Sequence, residues 1–213
     1  MPARTYGQYC GFSRALEVVG ERWALLIVRD LLVGPKRFSD LQRGLPGIPS
    51  NILTARLKEL EESGVVVRAV VPRPSNAIVY ELTEVGRELE EPVIALGRWG
   101  AKRLGDPRRD EIVTEDSMAT ALLSTFRPES AARGSVNYEL RLGEIVVNAQ
   151  VRNRTVTVGR GPLPKPDLII VAGPGIRALM AREITPQEAL KKKVVSITGD
   201  PKLLTTFAQT FQI

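Results

Sequence analysis

Between Lys36 and Lys58 five side chains are basic (Lys36, Arg37, Arg43, Arg56 and Lys58) and one is acidic (Asp40), while Glu59, Glu61 and Glu62 gather just beyond. Cations crowded at one end of a segment suit phosphate oxygens, whose charge they neutralise with release of counterions. Among them stand Asn51, Thr54 and Ala55, with Ser50 just ahead. Short side chains flanked by cations are what a helix needs to lie close in a major groove and reach base edges. Taken alone, the same residues also fit an ordinary solvated helix face.

Composition restricts other chemistry. The 213 residues include no histidine and one cysteine, Cys10. That removes imidazole from metal binding, general-base work and Ser-His or Cys-His nucleophiles, and it excludes an intrachain disulfide or a multi-thiolate metal site. No paired carboxylates or metal-ligand cluster can be identified, so neither enzyme activity, metal nor cofactor is expected. The net charge of +6 is only mildly basic, and each half of the chain carries 15 basic and 12 acidic residues. Total charge therefore does not say which half meets nucleic acid. No apolar run reaches the roughly 20 residues of a membrane span, and MPARTYGQYC lacks the apolar core of a signal peptide. A cytoplasmic protein without a membrane partner is expected.

The elements that must position the cations follow from periodicity. Phe12, Leu16, Val19, Trp23, Leu26, Ile27 and Leu31 recur at helical spacing, interrupted at Gly20, which predicts two helices with Trp23 brought into the core. Gly34-Pro35 ends the second, and Phe38-Ser39 suggests a staple and N-cap for a short helix that buries Leu41. After the turn GLPGIP, Ser50 is the expected N-cap of a helix with Leu53, Leu57 and Leu60 inside and Gly64 past its end. Asn51, Thr54, Ala55 and Lys58 then face outward, with Arg56 to one side. Val65–Val71 and Ile78–Leu82 form a β-hairpin whose tip, PRPSNA, carries Arg73, a candidate groove or phosphate contact. This is a helix-turn-helix running into a wing.

Thr83 is expected to cap a helix that Pro92 kinks or restarts, and its continuation through Val93, Leu96, Gly97 and Gly100 suits either a dimer arm or packing on the same domain. The dimer arm is preferred, because groove-reading helices work as symmetric pairs. GDPRRDE then reads as a linker. Beyond it, a helix near 117–126 precedes three alternating runs turned at Gly143 and Asn153, a continuously apolar strand at Leu168–Ala172, two short helices, a strand at Val194–Thr198 and a last helix. Lys191-Lys192-Lys193 reads as a solvated run.

Residues 9–104 resemble the HxlR-type winged-helix transcriptional regulators. The resemblance is carried by Cys10, by Gly20-Glu21-Arg22-Trp23, by Leu32 to Phe38 with Leu41, by Ile48, by Leu53-Thr54-Ala55-Arg56-Leu57 with Leu60, by Gly64 to Arg68, and by Tyr80 to Gly86. It implies a homodimer on a double-stranded, inverted-repeat operator, with the helix from Ser50 to Ser63 reading bases. Pro49 departs from the family, which commonly carries a capping serine there. The resemblance also gives Cys10 a candidate role as a sensor of oxidants or electrophiles. The alternative is an idle thiol, since only Arg4 and Arg14 lie near it in sequence to lower its pKa.

Most of residues 115–211 resemble the sterol carrier protein-like fold. The matching residues are Asp167-Leu168-Ile169-Ile170, Gly175 to Leu179, Ile184 to Leu190, and Val195 to Leu204 with Phe207. That fold implies an apolar cavity that holds lipid-like molecules. The expected class is thus α+β: a winged helix-turn-helix domain over 1–105, a linker over 106–111, and over 112–213 a sterol carrier protein-like domain with a mostly antiparallel sheet covered by helices. The expected function is a homodimeric, sequence-specific DNA-binding regulator whose second domain takes an apolar small-molecule effector. The alternative is a lipid-binding or carrier module whose winged helix only dimerises.

Overall fold

The computed structural model describes residues 5–72, 74, 76–105, 108, 110–131, 133–173 and 175–213. It divides into two compact units between Val93 and Ile94.

The first unit runs α1 (Gly11–Val19), α2 (Ala24–Leu32), α3 (Phe38–Gly44), α4 (Ser50–Glu62), β1 (Val66–Val70), β2 (Ile78–Leu82) and α5 (Glu84–Arg87), and it takes in the start of α6 (Glu90–Ala101). Its core is built from Ile27, Val28 and Leu31 of α2, Leu41 of α3, Leu53, Leu57 and Leu60 of α4, and Val65, Val66 and Leu82 of the hairpin. The helical periodicity ends at Gly20 as expected, but the predicted inner face is only partly buried. Phe12 is 73% exposed, while Ser13 is buried and bonds Gln8. Trp23 is half-buried against the core rather than within it.

Two caps differ from expectation. Helix α3 starts two residues early, at Phe38 with Arg37 as the flanking residue, because the Asp40 carboxylate reaches back to accept from the Arg37 amide at 3.2 Å, so Ser39 is not the cap. Helix α4 begins at Ser50, with Pro49 as the flanking residue at φ −67° and ψ 143°. The proline ring already holds φ where an N-cap needs it, so the turn closes without a capping side chain. Thr83 does cap α5, accepting from the Gly86 amide at 3.0 Å. A Cβ at Gly86 would collide with the Val65 carbonyl, so only glycine lets α5 pack this close to the hairpin.

The second unit holds the rest of α6, then α7 (Glu115–Thr125), a 3-10 turn at Pro128–Ser130, β3 (Ser135–Leu142), β4 (Ile145–Arg152), β5 (Thr155–Arg160), β6 (Leu168–Ala172), α8 (Ile176–Met180), α9 (Pro186–Lys191), β7 (Val195–Gly199) and α10 (Pro201–Thr210). The sheet order is β5-β4-β3-β6-β7, antiparallel except for β3 beside β6. Alternation puts Tyr138, Leu140, Val147, Ala149, Leu168 and Ile170 on one buried face. Against it packs an aromatic cluster in which Phe207 and Phe211 lie 4.8 Å apart, with Tyr138 at 5.4 and 5.9 Å and Phe126 at 5.7 Å from Phe211.

On the other face Glu139 is 1% exposed. Its carboxylate accepts from the Leu163 amide at 2.8 Å and pairs with Arg141 at 2.6 Å. Asn148 donates to the Gly161 carbonyl at 3.0 Å. These bonds fasten the 161–167 crossover to the sheet and satisfy a charge that burial would otherwise penalise. In the same unit the second half of α6 packs on α7. Arg98 donates to the Ser124 carbonyl at 3.1 Å, and a Cβ at Gly97 would stand 2.7 Å from Ser124 Oγ. The small residue does allow close helix approach, and its partner here is α7. Of the expected linker, Asp106, Pro107 and Arg109 lie outside the described residues.

Candidate nucleic-acid interface

Helix α4 is the centre of the candidate site. Leu53, Leu57 and Leu60 turn into the core, which leaves Asn51, Thr54 and Lys58 exposed on the outward side with Ala55 half-buried between them. Ser50 is exposed in the first turn, and Thr54 donates back to its carbonyl at 2.9 Å. Arg37 is exposed at the head of α3, and the Arg43 side chain is 79% exposed, 3.6 Å from Asp40. The structure therefore brings Arg37, Ser50, Asn51, Thr54, Ala55 and Lys58 onto the accessible surface of one helix-turn-helix. Arg73 lies outside the described residues.

Two expected cations stand differently. Lys36 is 1% exposed. Its main chain pairs with Tyr80 of β2, which draws the residue into the seam between the turn and the wing, so its ammonium is not offered to a duplex. Arg56 has a side chain only 12% exposed, ion-paired with Glu59 and 3.6 Å from Glu21 at the corner between α1 and α2. It lies on the flank of α4 rather than on its outward face.

The acidic end of α4 is matched carboxylate by carboxylate. Glu59 pairs with Arg56, Glu61 with Arg68 of β1 at 2.9 Å, and Glu62 with Lys58 at 3.6 Å. The hydrogen bond that Arg68 donates to the Glu61 carboxylate, and then the Glu61 charge, raise the pKa of Arg68 further, so that guanidinium stays charged. The exposed pairs of Arg68 with Glu61 and of Lys58 with Glu62 are screened by solvent, so an incoming phosphate can exchange for them. Arg68, Thr54, Lys58 and Tyr80 also line a cavity of about 420 Å³ between α4 and the wing. Arg68 was not among the residues expected from sequence; its strand position beside an acidic helix end was the available signal.

Cys10 is exposed and occupies the N-cap position of α1. The Ser13 and Phe12 amides, and then the Ser13 hydroxyl, lower its thiol pKa below the ordinary value.

Comparison with known proteins is decisive for the first unit. The HxlR-like helix-turn-helix model matches residues 18–107. The HTH-type transcriptional regulator YvaP of Bacillus subtilis (strain 168) is 38% identical over 91 residues, which cover 43% of this chain and 84% of that protein. The chain belongs to the HxlR-like helix-turn-helix family. A second relative, the HTH-type transcriptional regulator Mb3122 of Mycobacterium bovis, is 44% identical over 95 residues, 45% of this chain and 60% of that protein. The solved structure of the redox regulator HypR in its oxidized form is 35% identical, covers 46% of this chain and all of its own, and superposes with a TM-score of 0.42. The relatives are transcriptional regulators and not enzymes, and α3 with α4 is the helix-turn-helix of an HxlR-like protein. Residues 108–213 lie beyond the matched segment. Among the described residues no helix is long and apolar enough to cross a membrane.

Proposed function

We propose that this HxlR-like chain regulates transcription as a homodimer on an inverted-repeat operator, with α4 in the major groove of double-stranded DNA. Asn51, Thr54 and Ala55 face base edges, while Arg37, Ser50 and Lys58 hold phosphates, with Arg56 on the flank and Arg73, between β1 and β2 in sequence, as further contacts. The observation that carries the reading is the outward face of α4, where Asn51, Thr54 and Lys58 stand exposed opposite three buried leucines. Exposed apolar side chains support dimerisation: Tyr9 and Phe12 in the first unit, Leu96 and Trp99 on α6. The lowered thiol pKa supports Cys10 as a site for oxidants or electrophiles. Selection of bound sequences from random duplexes tests the proposal. An enriched palindromic motif is expected, and recovery of unselected sequence would leave the winged helix as a dimerisation module only.

The second unit is read as a sterol carrier protein-like domain that takes an apolar, lipid-like effector. Its support is the order of elements, three antiparallel strands, a crossover to a fourth strand, two short helices, a fifth strand and a closing helix. The aromatic cluster fills the layer between α10 and the sheet, so a ligand has to displace ring contacts. Titration with a fluorescent fatty acid decides: saturable binding supports the effector role, and its absence leaves a packed structural domain.

A further inference from the structure

A cavity of about 370 Å³ opens at the corner between α1 and α2, away from the outward face of α4. Its walls include Glu21, Arg22, Trp23, Pro49, Ile52 and Arg56. We propose that this cavity binds a planar aromatic carboxylate of one or two rings.

The volume falls within the range of small-molecule sites, which combine apolar walls with a few placed polar groups. Trp23, Ile52 and Pro49 supply the apolar walls. Trp23 holds φ at +82°, a left-handed conformation that bulky residues rarely adopt and that persists where the surroundings over-determine it. The Arg22 guanidinium lies over the Trp23 ring, 5.0 Å from its centroid. Arg56 comes from the other side with its side chain only 12% exposed.

Arg56 is already held by Glu59 and lies 3.6 Å from Glu21, so Arg22, beside the Trp23 ring, is the guanidinium that can meet a ligand carboxylate. Glu21 lines the same cavity and repels a ligand carboxylate, which Arg22 must outweigh. Guanidinium forks match carboxylates, and a flat ring stacks on indole at the same time. Phosphate uses only Arg22 and a neutral arene only the indole. An aromatic acid uses both.

Pro49 precedes α4 and Ile52 stands in its first turn, so an occupant touches the start of that helix. The consequence for DNA rests on the regulator reading above; the binding itself does not.

Calorimetry on the full chain without DNA separates the two. 1-Naphthoate is expected to bind saturably, with Arg22→Gln at least tenfold weaker and Glu21→Gln several-fold tighter, because the competing carboxylate is gone. 1-Naphthylmethanol and inorganic phosphate are each expected to bind at least tenfold more weakly than 1-naphthoate. No saturable heat with 1-naphthoate, or equal affinity for 1-naphthylmethanol or for phosphate, overturns the proposal and leaves DNA binding untouched. An Arg22→Gln variant that melts like wild type and binds 1-naphthoate unchanged also overturns it.

Discussion

The main chains of Lys36 and Tyr80 exchange two hydrogen bonds, 3.0 Å from the Lys36 amide to the Tyr80 carbonyl and 2.7 Å in return. This one-residue bridge ties the turn before α3 to the wing strand β2, and it carries the Lys36 side chain into the interior. A lysine in the basic run is thereby part of the scaffold. Replacement by methionine keeps the stem but leaves the groups around the ammonium unmatched, so Lys36→Met should cost the first unit about 1 to 3 kcal/mol. The salt slope of DNA binding should stay the same. Thermal unfolding beside salt-dependent binding measures both, and a reduced slope would return Lys36 to the phosphate contacts.

Lys58 and Glu62 make the opposite case, an exposed pair on the outward side of α4 with side chains 73% and 65% exposed. Lys58→Ala should lower the salt slope by about one unit. Glu62→Gln removes a carboxylate that competes with phosphate, so it should tighten binding at low salt and converge with wild type as salt screens both. Fluorescence anisotropy across a salt series reads the two effects together.

These contrasts mark what was legible in the chain. Local signals held: the turns at Gly143 and Asn153 lie between β3 and β4 and between β4 and β5, and Leu168–Ala172 is a strand from end to end. Leu53, Leu57 and Leu60 were readable as the inner face of α4 because helical spacing alone dictates it. Lys36 was not, because its burial depends on pairing with a strand more than 40 positions away. The same holds for Glu139, whose partners arrive from the crossover, and for the cavity that joins Trp23 to Arg56. The α3 cap was misplaced because Asp40, the third helical residue, reaches back to the Arg37 amide and sets the helix start ahead of Ser39.

Tyr138 sets a pH window for the second unit. Burial first, and the Asp167 charge second, push its pKa up to about 12 from an ordinary 10. The folded state therefore holds the phenol proton more tightly than the unfolded chain. The resulting stabilisation, about 2 to 3 kcal/mol, is fully present below pH 10 and is lost as pH rises from 10 through 12. Denaturant unfolding at stepped pH should show this loss for wild type and a flatter profile in that window for Tyr138→Phe. Parallel profiles would mean that the hydroxyl is solvated.

Cys10 should react as a thiolate at lower pH than an ordinary cysteine. Alkylation by iodoacetamide should rise with a midpoint below about 8.5. A midpoint at or above that value would remove the support that the Ser13 and Phe12 amides give to a sensor role.

The central claim is that the outward face of α4 reads bases, and Asn51 tests it most directly. The measurement is the affinity of wild type and Asn51→Ala for a selected duplex and for each of its single base-pair variants at fixed salt. Asn51→Ala should lose about 1 to 3 kcal/mol of discrimination at one base pair per half-site and keep the wild-type salt slope. A wild type that binds every variant equally, or an Asn51→Ala protein with all preferences intact, would contradict it.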